Sequence, residues 1–135
     1  MDAKLNDFLE QLAEHLVVDE WDEVAEMLAP WLYESASDLR RQVREQAKAT
    51  REDWEDADIG PADSFDIDDS ALGLDQLRKE GIKLPREVTP ANFKAWCRVT
   101  VQADEGEWSL YDLWCAVVED EGSLVVGYFD VESPD

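Results

Sequence analysis

The chain has 135 residues, 44% of them hydrophobic, which is enough for one domain with its own core. Its formal net charge of -22 disfavours nucleic acid and anionic membranes as partners, because both are polyanions. A charged partner should therefore be basic. An organism with a salty cytoplasm could impose the same acidity for solubility alone, and this alternative stays open.

Two features indicate a cytoplasmic protein. Met1 leads directly into a charged amphipathic segment, and no apolar run approaches the roughly 20 residues of a membrane span. Cys97 and Cys115 lie in apolar, strand-like runs, so we expect buried free thiols.

Apolar residues in the first third of the chain have the spacing of helices. Leucines and a phenylalanine recur through residues 5–16, which predicts an amphipathic first helix. Asp19 is placed to cap a second helix, which ends or kinks at Pro30. Ser35 or Ser37 begins a third helix, which runs to about Trp54. That helix carries five of the twelve cations, namely Arg40, Arg41, Arg44, Lys48 and Arg51.

The middle of the chain, at about 52–85, is predicted to be an irregular acidic segment. Between Glu52 and Asp75 it has ten acidic residues and no basic one, with turn signals at Gly60-Pro61 and Gly73.

Metal sites find little support in the sequence. Asp66 and Asp68 have the spacing of a calcium loop, but Ala71 and Leu77 replace the glycine and the final glutamate that such a loop requires. One histidine and two cysteines do not form a zinc ligand set. We expect no metal and no cofactor.

The last third of the chain has the pattern of antiparallel strands. Residues 92–103 alternate as in a strand with one buried face, and residues 108–131 predict a β-hairpin with its turn at 119–122. Both faces of the hairpin are mostly apolar, so it needs two covers, most simply helices on one side and another subunit or partner on the other. The order of elements predicts an α+β fold, a single domain over 1–135 with N-terminal helices packed on a curved antiparallel sheet.

Both ends of the chain resemble a known superfamily. The helix at 5–16, the segment DEWDEVAEML at 19–28 and the closing hairpin with YDLW and VVGYF resemble NTF2-like proteins, the cystatin-like α+β rolls. The resemblance implies a cone-like roll and leaves residues 52–85 without a counterpart. It implies two kinds of function: isomerase or cyclase enzymes with an acidic base in an aromatic pocket, and small acidic binding members, including immunity proteins.

The hairpin offers one candidate catalytic pair. A three-residue loop over 120–122 would place Asp112 opposite Asp130 and Trp114 opposite Tyr128. Burial and mutual repulsion would then raise the pKa of one carboxyl group, as a general base requires. A slip of one residue would change every partner, and water at the open end of the hairpin could simply solvate both acids.

Tryptophans are the second candidate group. Those on helical elements are expected to be core anchors: Trp21, Trp31 and Trp54. Trp96 lies on the polar side of its strand, where a core position is the simpler expectation and a pocket or interface the alternative. The candidate ligand-binding or interface residues are Trp96, Trp108, Trp114 and Tyr128.

These observations favour a non-catalytic acidic protein that binds a basic protein partner, for example as an immunity or antitoxin protein. An NTF2-like enzyme with Asp112 or Asp130 as general base is the alternative. A small apolar ligand and a homodimer through the sheet stay open as well.

Overall fold

The computed structural model describes residues 2–134 and has an α+β fold, as predicted. Three N-terminal helices come first: α1 (Ala3–Val17), α2 (Trp21–Glu26) and α3 (Ala36–Asp53). The strands are β1 (Ala62–Asp69), β2 (Phe93–Ala103), β3 (Trp108–Asp120) and β4 (Ser123–Glu132), with a short helix α4 (Leu74–Lys79) between β1 and β2. The strands form one antiparallel sheet in the order β1-β2-β3-β4.

The first helix forms as its spacing predicts. Its apolar side chains are buried against the sheet, and the Asp2 carboxylate accepts a hydrogen bond from the Lys4 backbone N–H at 3.2 Å. Such a cap satisfies one of the amide groups that a helix leaves unpaired at its start.

The start of α2 differs from the prediction that Asp19 caps it. Asp19 adopts a left-handed φ of 63° and makes no cap, and α2 begins two residues later at Trp21. The Asp19 carboxylate instead accepts hydrogen bonds from the Trp21 indole and from Arg44 of α3. The short α2 ends before Pro30, which opens a separate 3₁₀ helix over Pro30–Ser35.

The prediction of an irregular segment at 52–85 is wrong where β1 and α4 lie. In β1, Phe65 and Ile67 pack against the core, while Asp66 and Asp68, which alternate with them, are exposed. Aspartate has a low strand propensity, so its abundance concealed this alternation. On an edge strand the same charges protect the sheet from pairing with another chain.

The two faces of the sheet are covered differently. The face that we call the core face packs against α1, α2 and α3. Among residues 2–134, the cover of the opposite face, called here the outer face, lies near the hairpin turn, where Leu77 packs with Trp96 and Ala116, and Leu74 packs with Val88 and Val118. This second cover comes from the chain itself, so the expectation that another subunit or partner supplies it is wrong for this half of the face.

The hairpin turn is one residue shorter than predicted. Asp120 pairs with Ser123, which leaves Glu121 and Gly122 as the turn, at φ 50° and 83°. Both values suit a two-residue turn with positive φ.

A β-bulge then changes the register of β4. The pairing shifts at Ala116/Val117, and Gly127 is the extra residue on β4. Only glycine fits there, because a Cβ atom would lie 2.9 Å from Cγ1 of Val118.

The predicted pairs across the hairpin are therefore wrong. Asp112 lies opposite Glu132 and not Asp130, and Trp114 lies opposite Asp130 and not Tyr128. The turn and the bulge each add one residue to the offset. Because strand side chains alternate with a period of two, the acids and aromatics stay on their expected face but have new partners.

Candidate functional site

The open half of the outer face carries two rows of side chains that cross all four strands. The pairing of the strands defines these outer-face rows. The first consists of Asp66, Thr100, Asp112 and Glu132, and the second of Asp68, Arg98, Trp114 and Asp130. Five carboxylates from three strands thus lie on one face around a single arginine.

Asp112 is the buried member of the first row. It is 8% exposed, and the Thr100 hydroxyl donates a hydrogen bond to its Oδ1 at 2.6 Å. A buried carboxylate needs such a donor, because leaving it without a partner would cost its full desolvation energy. Thr100 therefore holds Asp112 in a fixed position within the sheet.

Glu132 is the carboxyl group whose pKa this surface perturbs. Desolvation is the main cause of its raised pKa, and hydrogen bonding to Asp130 and the charges of Asp130 and Asp112 add to it. A hydrogen bond from the Trp114 side chain acts in the opposite direction. Crowding of like charges thus costs free energy that an added cation would recover.

Three aromatic residues adjoin these acids. The Trp96 ring stacks with Trp114 at a centroid distance of 5.8 Å and with Tyr128 at 6.0 Å, with interplanar angles of 16° and 25°. Trp96 is 5% exposed and packs under Leu77 of α4. The rings are therefore held rigidly by the cover and by one another.

A pocket of about 250 Å³ opens between these rings and the covering segment. We call it the aromatic pocket; its lining residues are Ser70, Leu72, Glu80, Ile82, Trp96, Trp114, Tyr128, Asp130 and Glu132. Its charged lining residues, among those that the structure describes, are all acidic. The pocket thus combines flat aromatic walls with carboxylates at its rim.

Arg98 shows how this surface holds a guanidinium group. Its Cζ lies 5.7 Å from the centroid of the Trp114 ring, and its Nη2 lies 3.7 Å from Oδ2 of Asp68. The arrangement combines a cation–π contact with an ion pair.

Several of the candidate residues from the sequence come together here. Trp96, Trp114, Tyr128 and Asp130 all line the aromatic pocket, whereas Asp112 lies beside it in the sheet. Trp108 lies elsewhere and packs against Trp54, with ring centroids 5.4 Å apart.

One of the expected core anchors is misplaced. Trp54 is 57% exposed, so its prediction as a core residue is wrong. It follows the last residue of α3, where the helix ends and its buried stripe with it.

Sequence reasoning missed Glu132, Glu80 and Arg98. Tyr128, Asp130 and Glu132 are spaced by two along β4, and this spacing alone would have placed Glu132 on the same face as the other two. Glu80 lines the aromatic pocket because residues 70–93 cross the outer face, and the sequence pattern did not indicate that path.

The cations of α3 are largely engaged within the chain. Arg44 pairs with Asp19 at 3.0 Å, Arg41 pairs with Asp38 and with Glu45, and Arg51 donates to the backbone oxygen of Gly60 at 2.9 Å. Arg44 and Arg51 thus tie α3 to neighbouring segments, and Arg41 pairs within the helix, so these three cations have structural roles.

The cysteines also have structural positions. Cys97 and Cys115 face each other on β2 and β3 as buried free thiols. Burial is the main cause that raises the pKa of Cys97 to about 12, and it raises the pKa of Cys115 as well. Neither thiol is available as a nucleophile near neutral pH.

Within residues 2–134, no group of three or more His, Cys, Asp or Glu side chains is placed to hold a metal ion. Over the same residues, none of the helices is both long and apolar enough to cross a bilayer.

Comparisons with protein-family models, with curated proteins and with solved structures found no match to this chain. The resemblance to NTF2-like proteins therefore stays a prediction.

Proposed function

We propose that this chain is a non-catalytic acidic protein that binds a basic protein through the outer face of its sheet. The observation that carries the proposal is the pair of outer-face rows, which gather five carboxylates on the half of the sheet that the chain leaves open. A basic surface that docked there would pair with these acids and relieve their mutual repulsion.

The charge of this face separates the proposal from two alternatives. A homodimer through the outer face would bring two acidic surfaces together, which like-charge repulsion disfavours. Acidity imposed by a salty cytoplasm would be spread over the surface without regard to aromatic residues, whereas these acids adjoin the half-buried rings of Trp114 and Tyr128.

An immunity or antitoxin protein is the form of the proposal that the NTF2-like resemblance supports. Such a protein would neutralise a basic toxin domain by occupying its surface. The two free thiols are compatible with a reducing compartment, which supports the proposal of a cytoplasmic protein.

A catalytic function is the second candidate, favoured by the position of Asp130 on the aromatic pocket and by the raised pKa of neighbouring Glu132. A carboxyl group of this kind can transfer a proton to or from a bound substrate. Asp112 is less suited to such a role, because Thr100 holds it in a buried position. Binding remains the better supported function, since it uses the four carboxylates of the two rows that are not buried, namely Asp66, Asp68, Asp130 and Glu132.

A display library of random peptides, selected against the intact protein, tests the proposal. We expect the enriched peptides to be strongly basic and to compete with one another for one surface. Their affinity should fall as salt rises from about 0.1 M to about 1 M, over which the Debye length shortens from about 10 Å to about 3 Å. Calorimetric titration of the enriched peptides measures this.

Charge-matched variants locate the surface. The outer-face variant carries D66N, D130N and E132Q, and the control carries D7N, E14Q and E26Q on exposed positions of α1 and α2. Both lose three negative charges, so a general charge effect would weaken binding equally in the two. We expect at least about tenfold weaker binding in the outer-face variant alone. Equal losses, or enriched peptides without net positive charge, would overturn the proposal.

A further inference from the structure

The aromatic pocket has a composition that the rest of the outer face lacks. Stacked rings form its wall, and Glu80, Asp130 and Glu132 supply three formal negative charges from two separate segments of the chain. Its volume of about 250 Å³ is below the roughly 300–1,000 Å³ of sites for drug-sized ligands, so a single side chain is a suitable occupant.

We propose that the aromatic pocket receives one arginine side chain of the basic partner. Its guanidinium group would lie against the Trp114 and Tyr128 rings and pair with the carboxylates of Asp130 and Glu132. This inference rests on the proposed function and adds to it the chemical group that the partner presents. Arginine suits the pocket better than lysine, because a planar guanidinium stacks on aromatic rings and pairs with carboxylates through several N–H donors.

The molecule already contains the same arrangement once. Arg98 lies over the Trp114 ring and pairs with Asp68 in the neighbouring row. On the pocket side, the aromatic wall continues through Trp96 and Tyr128, and its carboxylates belong to Asp130, Glu132 and Glu80. The incoming guanidinium would therefore repeat a contact that this surface makes with its own chain.

The raised pKa of Glu132 also supports an arginine as the occupant of the aromatic pocket. The pKa of this carboxyl group is raised by desolvation and by its acidic neighbours, so its charge is poorly compensated in the free protein. A guanidinium group within the pocket would stabilise the ionised form and lower that pKa again.

Titration of the isotopically labelled protein with acetyl-arginine amide, followed through the indole N–H signals in NMR spectra, tests the pocket directly. Substitution of single tryptophans by phenylalanine assigns the signals. We expect progressive shifts of the Trp96 and Trp114 signals with an affinity of about millimolar, as befits one side chain without its protein. The Trp31 signal should stay fixed, because that indole donates to the backbone oxygen of Gly127 at 2.9 Å.

Two matched ligands and two matched variants complete the experiment. Acetyl-citrulline amide has the shape of the arginine probe without its charge and should give no shifts, and acetyl-lysine amide should bind more weakly. The variant D130N/E132Q should bind acetyl-arginine amide about tenfold more weakly than the wild type, whereas the control D7N/E14Q should bind as the wild type does. Shifts with citrulline, equal binding of lysine, or equal losses in the two variants would overturn the inference.

The outcome is distinguishable from failure of the proposed function. If basic peptides bind the outer face while acetyl-arginine amide leaves the indole signals unchanged, the pocket does not hold arginine but the proposed function stands. If acetyl-arginine amide binds as expected but basic peptides do not compete for the outer face, the pocket recognises guanidinium groups without a basic protein partner, and both proposals fall.

Discussion

The two faces of the sheet differ in the interactions that position their side chains. On the core face, apolar side chains from α1, α2 and α3 pack against those of the strands, and their burial is the main source of stability. On the open half of the outer face, the same strands present acids, one arginine and aromatic rings, which hydrogen bonds and ion pairs hold in place. The first face fixes the fold, and the second is preserved at a cost in electrostatic repulsion.

This difference assigns separate roles to residues that are neighbours in sequence. Leu113 and Cys115 belong to the core, while Asp112 and Trp114, which alternate with them along β3, belong to the outer face. Apolar side chains buried on the core face lower the free energy of the folded state, whereas crowded carboxylates on the outer face raise it. The proposed binding function would account for acids on this face that reduce the stability of the folded state.

The largest effect of a single substitution should arise on the core face. Leu12 of α1 is fully buried, and Leu12→Ala should lower the free energy of unfolding by about 2–5 kcal/mol through lost burial and a cavity. That is a large part of the roughly 5–15 kcal/mol of a typical domain. Urea denaturation at neutral pH measures the change.

The matched substitution on the other face is Ile82→Ala at the rim of the aromatic pocket. Ile82 is half-buried, so we expect a loss of about 1 kcal/mol. Equal losses in the two variants would contradict the conclusion that the core face contributes more to the free energy of unfolding than the outer face does.

An intermediate effect is expected where the outer face buries a charge. Thr100→Val keeps the shape of the side chain but removes the hydroxyl that donates to Asp112 at 2.6 Å. The loss should be about 1.5–3 kcal/mol, because the acceptor is a buried carboxylate. Unfolding in urea, compared with the wild type, gives the value.

Thr50 provides the control for this substitution. Its hydroxyl is also buried and donates to the backbone oxygen of Leu110 at 2.8 Å, which is a neutral acceptor. Thr50→Val should therefore cost only about 1 kcal/mol. If Thr100→Val lowered the free energy of unfolding less than Thr50→Val does, the hydrogen bond from Thr100 would not be what stabilises the buried carboxylate of Asp112.

The core face could be predicted from the sequence more fully than the outer face. Leu5, Leu9, Leu12 and Leu16 have a helical period that depends only on local spacing, and α1 forms where that spacing predicts. The partners of Asp112 and Asp130 depend on the length of a turn and on one bulge. The turn depends on the positive φ of Glu121 and Gly122, and the bulge depends on the packing of Gly127 against Val118; hydrophobic periodicity indicates neither.

The middle segment escaped prediction for a different reason. Asp66 and Asp68 of β1 have a low strand propensity, and tertiary pairing with β2 overrides it. The aromatic pocket was consequently only half predictable. Its rings and Asp130 are evident in β2, β3 and β4, whereas its lining by Leu72, Glu80 and Ile82 follows from the path of the chain after β1.

The smallest expected effect concerns the repulsion between carboxylates on the outer face. Unlike the substitutions above, which lower the free energy of unfolding, Glu132→Gln should raise it. The pKa of Glu132 in the folded protein is raised above its ordinary value of 4.5. Between the ordinary and the raised pKa, the folded protein therefore binds more protons than the unfolded chain does. The stability that Glu132 contributes is thus present in acid and is lost as the pH rises through the raised pKa. Glu132→Gln removes this loss and should stabilise the protein near neutral pH.

The gain should be about 0.5 kcal/mol or less, since Glu132 is an exposed residue that solvent screens. Urea denaturation at about pH 7 and about pH 4 should show the gain at the higher pH and none at the lower. Glu14→Gln on the exposed side of α1 removes the same charge away from the outer face and should leave the stability within the error at both pH values. A gain from Glu132→Gln that persisted at low pH, or an equal gain from Glu14→Gln, would mean that general charge and not the crowding of Asp112, Asp130 and Glu132 causes the repulsion.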